Sequence, residues 1–158
     1  MRTARPKKDA SPEKRLAGFL AKYTPEIRAS ARAALAKMRA RLPGAIELVY
    51  DNYNALAIGF GPSERASEAI FSIALYPRWL SLFFLKGAKL RDPEKLLKGS
   101  GSTVRYIVLE GADTLDEPGV RALMAQAMKT APKSIDPKGR RRLVIRSIST
   151  KQRPRRPA

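Results

Sequence analysis

A short glycine-rich stretch is the part of this sequence best suited to bind an anion. It reads Lys98-Gly99-Ser100-Gly101-Ser102, and its backbone amides could surround an oxyanion. The cations at nearby predicted strand ends that could converge on it are Arg78, Lys86, Lys89 and Arg105. Arg105 could hold a carboxylate or a phosphate through two parallel hydrogen bonds. The side chains that could add stacking surface are Tyr76, Trp79 and Tyr106. The stretch therefore predicts a site for a small anionic ligand.

This stretch does not follow the pattern of the common phosphate-binding motifs. A P-loop needs a different glycine spacing followed by Lys and then Ser or Thr. A dinucleotide fingerprint leads into a helix, whereas this stretch leads into a predicted strand. The alternative interpretation is a solvated linker, with Arg105 in a surface ion pair. The sequence leaves both interpretations open.

The C-terminal end offers a second candidate site, for nucleic acid. Residues 138–142 and 151–156 are dense in Lys and Arg, which neutralise phosphates without sequence preference. The candidate residues are Arg140, Arg141, Arg142, Lys151, Arg153, Arg155 and Arg156. A tail that only solubilises the chain is the alternative interpretation. If the tail binds, deletion after Ala131 should abolish binding and leave the fold intact.

Composition excludes several kinds of chemistry. The 158 residues include no Cys and no His, which excludes disulfides, thiolate nucleophiles, zinc sites built from these ligands and Ser-His-Asp triads. The carboxylates show no catalytic pairing either. Asp113, Asp116 and Glu117 fall at a predicted helix start, and Asp51 falls at a predicted turn. We therefore predict a protein that is not an enzyme and uses no metal and no cofactor.

Charge and hydropathy divide the chain into a body and two basic ends. The net charge is +18, and residues 129–158 hold 11 Lys or Arg against one acid. No apolar run approaches the roughly 20 residues that span a bilayer, so we expect a cytoplasmic protein without a membrane partner. The predicted organisation is a disordered arm over residues 1–12, a folded domain over 13–130 and a basic tail over 131–158. Residues 142–149 could add an edge strand, and residues 152–158 should be disordered.

Apolar spacing predicts the elements that position these residues. Helices are expected from Ser11 to near Tyr23, from Pro25 to about Arg41, and after a capping box that begins at Thr114. Five strands are expected over residues 46–51, 55–60, 69–76, 79–85 and 103–109. The small side of residues 55–60 could lie close under a helix.

The stretch over residues 79–85 is apolar on both sides, which places it in the interior of the sheet. The aromatic residues expected in the core are Phe71, Trp79, Phe83 and Phe84. Short connections favour antiparallel pairing. The predicted fold class is α+β, an antiparallel sheet of about five strands with the N- and C-terminal helices packed on one face.

Three motifs support a family resemblance. They are Tyr76-Pro77-Arg78-Trp79, the stretch over residues 83–90, and Gly99-Ser100-Gly101 followed by Val104-Arg105. With them, residues 19–129 resemble the YdhG-like family of bacterial domains of unknown function. The resemblance implies a small α/β sandwich with an antiparallel sheet. It also implies a distant likeness to frataxin, since some members are regarded as iron chaperones.

Frataxin-like iron binding depends on an acidic ridge along the first helix. Here the helical region carries only Glu13 and Glu26 against eight Lys or Arg side chains, a poor environment for a hard cation. We therefore predict a non-enzymatic binding module for a small anionic ligand or a protein partner. Non-specific nucleic-acid binding through the C-terminal tail is the alternative, and an iron chaperone is the least favoured.

Overall fold

The computed structural model describes residues 11–158, which form three α-helices and six strands. The helices are α1 (Pro12–Leu20), α2 (Pro25–Arg41) and α3 (Pro118–Thr130). The strands are β1 (Ile46–Asp51), β2 (Leu56–Gly61), β3 (Phe71–Leu75), β4 (Leu80–Phe84), β5 (Arg105–Leu109) and β6 (Arg142–Ile148). The predicted N-terminal arm lies outside the described residues, except for Ser11 and Pro12, which begin α1.

The first two helices start where the sequence indicates. The side chains of Ser11 and Thr24 accept hydrogen bonds from backbone amides of the first turn, and a proline follows each cap. The first helix ends at Leu20, earlier than predicted. The prediction of a capping box at Thr114 is wrong, because α3 starts after Glu117 and no side chain caps it. Residues before α3 form a 3₁₀ turn instead, Ala112–Asp116.

The sheet is mixed and has the strand order β5-β4-β3-β2-β1-β6. β1 to β5 pair in antiparallel fashion, while β6 pairs in parallel with β1. The predicted edge strand near residues 142–149 is therefore confirmed, but the sheet has six strands and is not wholly antiparallel. The parallel pairing follows from the connection, because α3 carries the chain back across the sheet before β6 begins.

One face of the sheet packs against the helices and holds the core. Phe60, Phe71 and Phe84 are fully buried there, and the rings of Phe71 and Phe84 meet edge to face at 5.5 Å. β4 lies between β3 and β5, which confirms the interior position expected for this stretch. Trp79 is not in the core, because it precedes β4 in the turn after β3 and is 42% exposed. Phe83 points to the other face and is half-buried.

The small side of β2 faces away from the helices, contrary to prediction. Leu56, Ile58 and Phe60 enter the core, and the intervening small residues lie on the opposite face. The loop after β2 crosses this face, where a Cβ added to Gly61 would lie 2.9 Å from Ala69 Cα. Because Gly61 has no side chain, the loop can approach this face closely, and it is this loop rather than a helix that covers the small residues there.

The C-terminal segment is part of the folded body. The amide of Ser149 donates to the carbonyl of Asp51 at 2.9 Å, and that of Arg153 donates to the carbonyl of Tyr53 at 2.8 Å. The side chain of Arg155 is buried. The prediction that residues 152–158 are disordered is wrong, because these contacts hold them against β1 and the end of α1. Within the described residues, no helix is long and apolar enough to cross a membrane.

Candidate functional site: the open face of the sheet

The face of the sheet opposite the helices carries a separate set of side chains. Residues paired across neighbouring strands share a face, so the register identifies this set. One row comprises Leu48, Gly59, Ser72, Phe83 and Tyr106. The next row comprises Tyr50, Ala57, Ala74, Ser81 and Val108. We call the side of the sheet formed by these two rows the open face; Leu48, Gly59, Ala74 and Ser81 are buried on it, and the other residues are partly exposed.

A cleft of about 520 Å³ lies on the open face. Its floor includes the small residues Ala57, Ser72 and Ala74, and the aromatic residues beside it include Tyr53, Tyr76 and Phe83. Because the floor side chains are short, the aromatic rings stand above it. A planar group could therefore enter between them and contact ring faces rather than backbone.

The aromatic residues at this surface occur partly in pairs. Phe83 and Tyr106 have ring centroids 5.4 Å apart, and Tyr76 stacks on Trp79 at 4.8 Å with an interplanar angle of 19°. Tyr53 lies at the opposite side of the cleft and is 49% exposed. Burial raises the pKa of Tyr76 above its ordinary value, and the nearby Tyr106 adds to this. The Tyr76 hydroxyl is therefore a neutral hydrogen-bonding group at physiological pH.

The open face is free of acidic strand residues. Glu47 and Asp51 are the only acids in the six strands, and both are buried on the opposite face, which packs against the helices. The loop that crosses the face carries Glu64 and Glu68, which form salt bridges with Arg142 and Lys133. Further cations border the face. Lys98 pairs with Tyr106 through an isolated antiparallel bridge, which extends the first row by one position. Arg153 lies over the Tyr53 ring, 5.8 Å from its centroid.

The described part of the chain as a whole is also positively charged. Residues 11–158 contain 28 Lys or Arg against 13 Asp or Glu, a net charge of +15. Together with the absence of strand carboxylates, this charge favours an anionic ligand on the open face.

The two inward acids serve the fold. Arg39 donates two hydrogen bonds to Glu47, at 2.9 and 2.8 Å, and Arg141 donates a third at 3.1 Å. Asp51 forms salt bridges with Lys22 at 2.8 Å and with Arg155 at 2.9 Å. Burial alone would raise the pKa of Asp51, but the hydrogen bonds from its partners outweigh burial and lower that pKa. The prediction that Asp51 only forms a turn is therefore wrong.

Only some of the predicted partners lie next to the glycine-rich stretch. Gly87 lies against Arg105, where an added Cβ would be 2.7 Å from Arg105 Cβ, but Lys86 lines a separate cavity with Glu68 and Thr130. Gly99, at φ +112°, adjoins Arg105 and Tyr106. The Arg105 guanidinium donates to the carbonyls of Gly101 at 2.6 Å and Val104 at 2.8 Å. Arg105 thus closes its own loop, while Lys98, Ser100 and Gly101 are exposed.

Arg78 does not join this group. It lies in the turn before β4, at the end where Leu80 pairs with Leu109, whereas Arg105 pairs with Phe84 at the other end. The length of β4 separates them by roughly 13 Å. Arg105 also shares the core-side face with Phe84, while Tyr106 lies on the open face. The predicted convergence of Arg78 with Arg105 is therefore wrong.

Much of the basic C-terminal segment is engaged in the fold. Arg141 contacts Glu13 and Glu47, and Arg142 contacts Glu64 at 2.7 Å. Arg155 holds Asp51, and Arg156 donates to backbone carbonyls at the end of α1. The remaining candidates, Arg140, Lys151 and Arg153, are exposed. Only part of the predicted nucleic-acid site is therefore available as a free cationic surface.

Within residues 11–158, no group of three or more His, Cys, Asp or Glu side chains could hold a metal ion. A scan against protein-family models and searches of curated proteins and of solved structures each return no match. The YdhG-like resemblance thus stays a prediction, and the functional argument depends on the chain's own geometry.

Proposed function

We propose that this protein is a non-catalytic binding protein that holds an anionic ligand with a planar group on the open face of its sheet. The observation that carries the proposal is the cleft between Tyr53, Tyr76 and Phe83, on a face whose strand residues include no carboxylate. Aromatic faces favour planar groups, and the surrounding positive charge favours an anion.

Trp79 provides a direct reporter, because it is the only tryptophan in the sequence and is stacked on Tyr76. We expect adenosine monophosphate to change its fluorescence with saturation. Adenosine, which lacks the charge, and inorganic phosphate, which lacks the ring, should bind at least several-fold more weakly. No saturable change with adenosine monophosphate up to millimolar concentration would overturn the proposal.

Matched variants locate the binding site. Phe83→Leu removes a ring from the open face while keeping an apolar side chain. Phe19→Leu makes the same change in α1, next to the core on the helix side. We expect only Phe83→Leu to weaken the binding of adenosine monophosphate. Equal effects of the two substitutions would contradict a site on the open face.

The glycine-rich stretch remains a separate candidate for the anion. If the ligand binds there, inorganic phosphate alone should shift the amide resonances of residues 99–102, and Phe83→Leu should change nothing. The two sites are therefore distinguished by one titration with phosphate and one with adenosine monophosphate.

A further inference from the structure

We infer that the ligand class of the open face is single-stranded nucleic acid, with successive bases stacked along the sheet. The inference rests on the proposed function and extends it from one planar anion to a polymer of them.

The first reason is that the stacking surfaces are repeated. Phe83 with Tyr106 forms one aromatic surface, and Tyr76 with Trp79 forms another. Tyr53 adds a third on the far side of the cleft, where it is 49% exposed. A single small anion needs one such surface, whereas a strand of nucleotides can use each in turn. Base stacking on aromatic side chains tolerates any sequence, because every base has a π-face.

The second reason is the size of the surface. Leu48 and Gly59 are buried where the loop after β2 crosses the face, so the accessible part of the first row runs from Ser72 to Tyr106, and the bridge to Lys98 extends it. These positions cross three strand-to-strand gaps, or roughly 14 Å at about 4.8 Å for each gap. RNA-recognition domains stack two or three bases on the aromatic residues of a four-stranded sheet. The accessible part of the open face is thus long enough for a short run of stacked bases.

The third reason is charge complementarity at both ends of the surface. Lys98 extends the first row beyond Tyr106 at one edge. Arg153 lies over Tyr53 and Lys151 is exposed close by in the sequence, at the other edge. Cations at both ends can contact the phosphates that flank the stacked bases. No strand residue of the open face would repel those phosphates, since the strand acids are turned inward.

A duplex does not fit this arrangement. Its bases are stacked on each other, so they cannot lie on Phe83 and Tyr106 without unpairing. A basic surface that bound only phosphates would accept a duplex as well as a single strand. Preference for the single strand therefore separates stacking on the open face from charge-driven binding by the C-terminal cations.

The test is a fluorescence-anisotropy titration of the full chain with a labelled strand of ten uridines. A ten-base-pair duplex and uridine monophosphate serve as comparisons. We expect the ten-uridine strand to bind at least ten-fold more tightly than either. With about three phosphate contacts, log K should fall against log salt with a slope of about −2.

Variants test the two kinds of contact. Phe83→Leu and Tyr106→Leu should each weaken binding of the ten-uridine strand by roughly five- to 150-fold, while Phe19→Leu leaves it unchanged. Lys98→Gln should make the salt slope shallower by about 0.7. Lys129→Gln removes the same charge from an exposed position on α3 and should leave the slope unchanged. Urea unfolding of each variant verifies that it is folded.

The outcomes separate the two proposals. If adenosine monophosphate binds at the open face but the ten-uridine strand binds no more tightly than uridine monophosphate, this inference is overturned and the proposed function stands. If neither the nucleotide nor the strand binds, both fail. Equal binding of the duplex, insensitive to Phe83→Leu, would also overturn the inference, as would an acidic phosphopeptide that alone requires Phe83 and Tyr106.

Discussion

Replacing Arg155 with Met should destabilise the protein strongly, although only three residues follow it in the sequence. The side chains of Arg155 and Asp51 are 4% and 1% exposed, and their charged atoms lie 2.9 Å apart. Removing one partner of a buried ion pair typically costs about 3–5 kcal/mol, because the other charge stays buried. Here Lys22 still contacts Asp51 at 2.8 Å and is 42% exposed. We therefore expect a loss of about 2–3 kcal/mol in the free energy of unfolding.

Urea unfolding followed by circular dichroism measures this loss. Lys151→Met is the control, because it removes the same charge from an exposed position of the same segment. It should change the free energy of unfolding by less than about 0.5 kcal/mol. Combining Asp51→Asn with Arg155→Met should cost less than the two single losses added together, since neither buried charge is then left without its buried partner. If Arg155→Met is no more destabilising than Lys151→Met, the C-terminal segment is not part of the fold as described.

Three further predictions concern the pKa of Asp51, the C-terminal segment and the burial of Trp79. Because the folded pKa of Asp51 is lowered, its stabilising contribution should be complete above about pH 5. It should decline as the pH falls below the unfolded value near 3.9 and be lost as the pH falls through the lower folded pKa; Asp51→Asn should flatten this part of a stability–pH profile. A chain ending at Ala131 should lack a cooperative thermal transition, since it loses β6 and the partners Arg141 and Arg155; a sharp melt would contradict this. Trp79→Ser should cost less than about 1 kcal/mol on urea unfolding, whereas Phe84→Ala should cost about 3–5 kcal/mol; equal costs would place Trp79 in the core.

Local signals predicted much of the secondary structure correctly. Ser11 and Thr24, each followed by proline, predicted the starts of α1 and α2, because caps act within one turn. Alternation predicted the faces of β2, with Leu56 and Phe60 on the core side. It could not identify what covers the small side, because a helix, a loop and a ligand all accept short side chains.

Contacts between distant residues were beyond the sequence pattern. Asp51 and Arg155 are 104 positions apart, and Glu47 and Arg141 are 94 apart. Charge density indicated a solvated tail, because local composition does not show which arginines find buried acids. For the same reason the expectation that deletion after Ala131 leaves the fold intact conflicts with the ladder between β1 and β6.

The candidate site was predicted only in part. The sequence named Tyr76, Trp79 and Tyr106 as possible stacking surface for the glycine-rich stretch, but it assigned Phe83 to the core, because core packing and exposed stacking use the same side chains. The available signal was the pairing of Phe83 with small residues on adjacent strands, such as Ser72. Using that signal requires the register of β3 and β4, which the sequence alone did not provide.

The central claim is that the open face is the surface that binds an anionic ligand. Amide NMR spectra recorded during a titration with adenosine monophosphate test it most directly. The account predicts that the resonances of Ser72, Phe83 and Tyr106 shift together with one dissociation constant, while those of α2 stay in place. Shifts confined to residues 99–102 or 138–156, or no shifts at all, would contradict it.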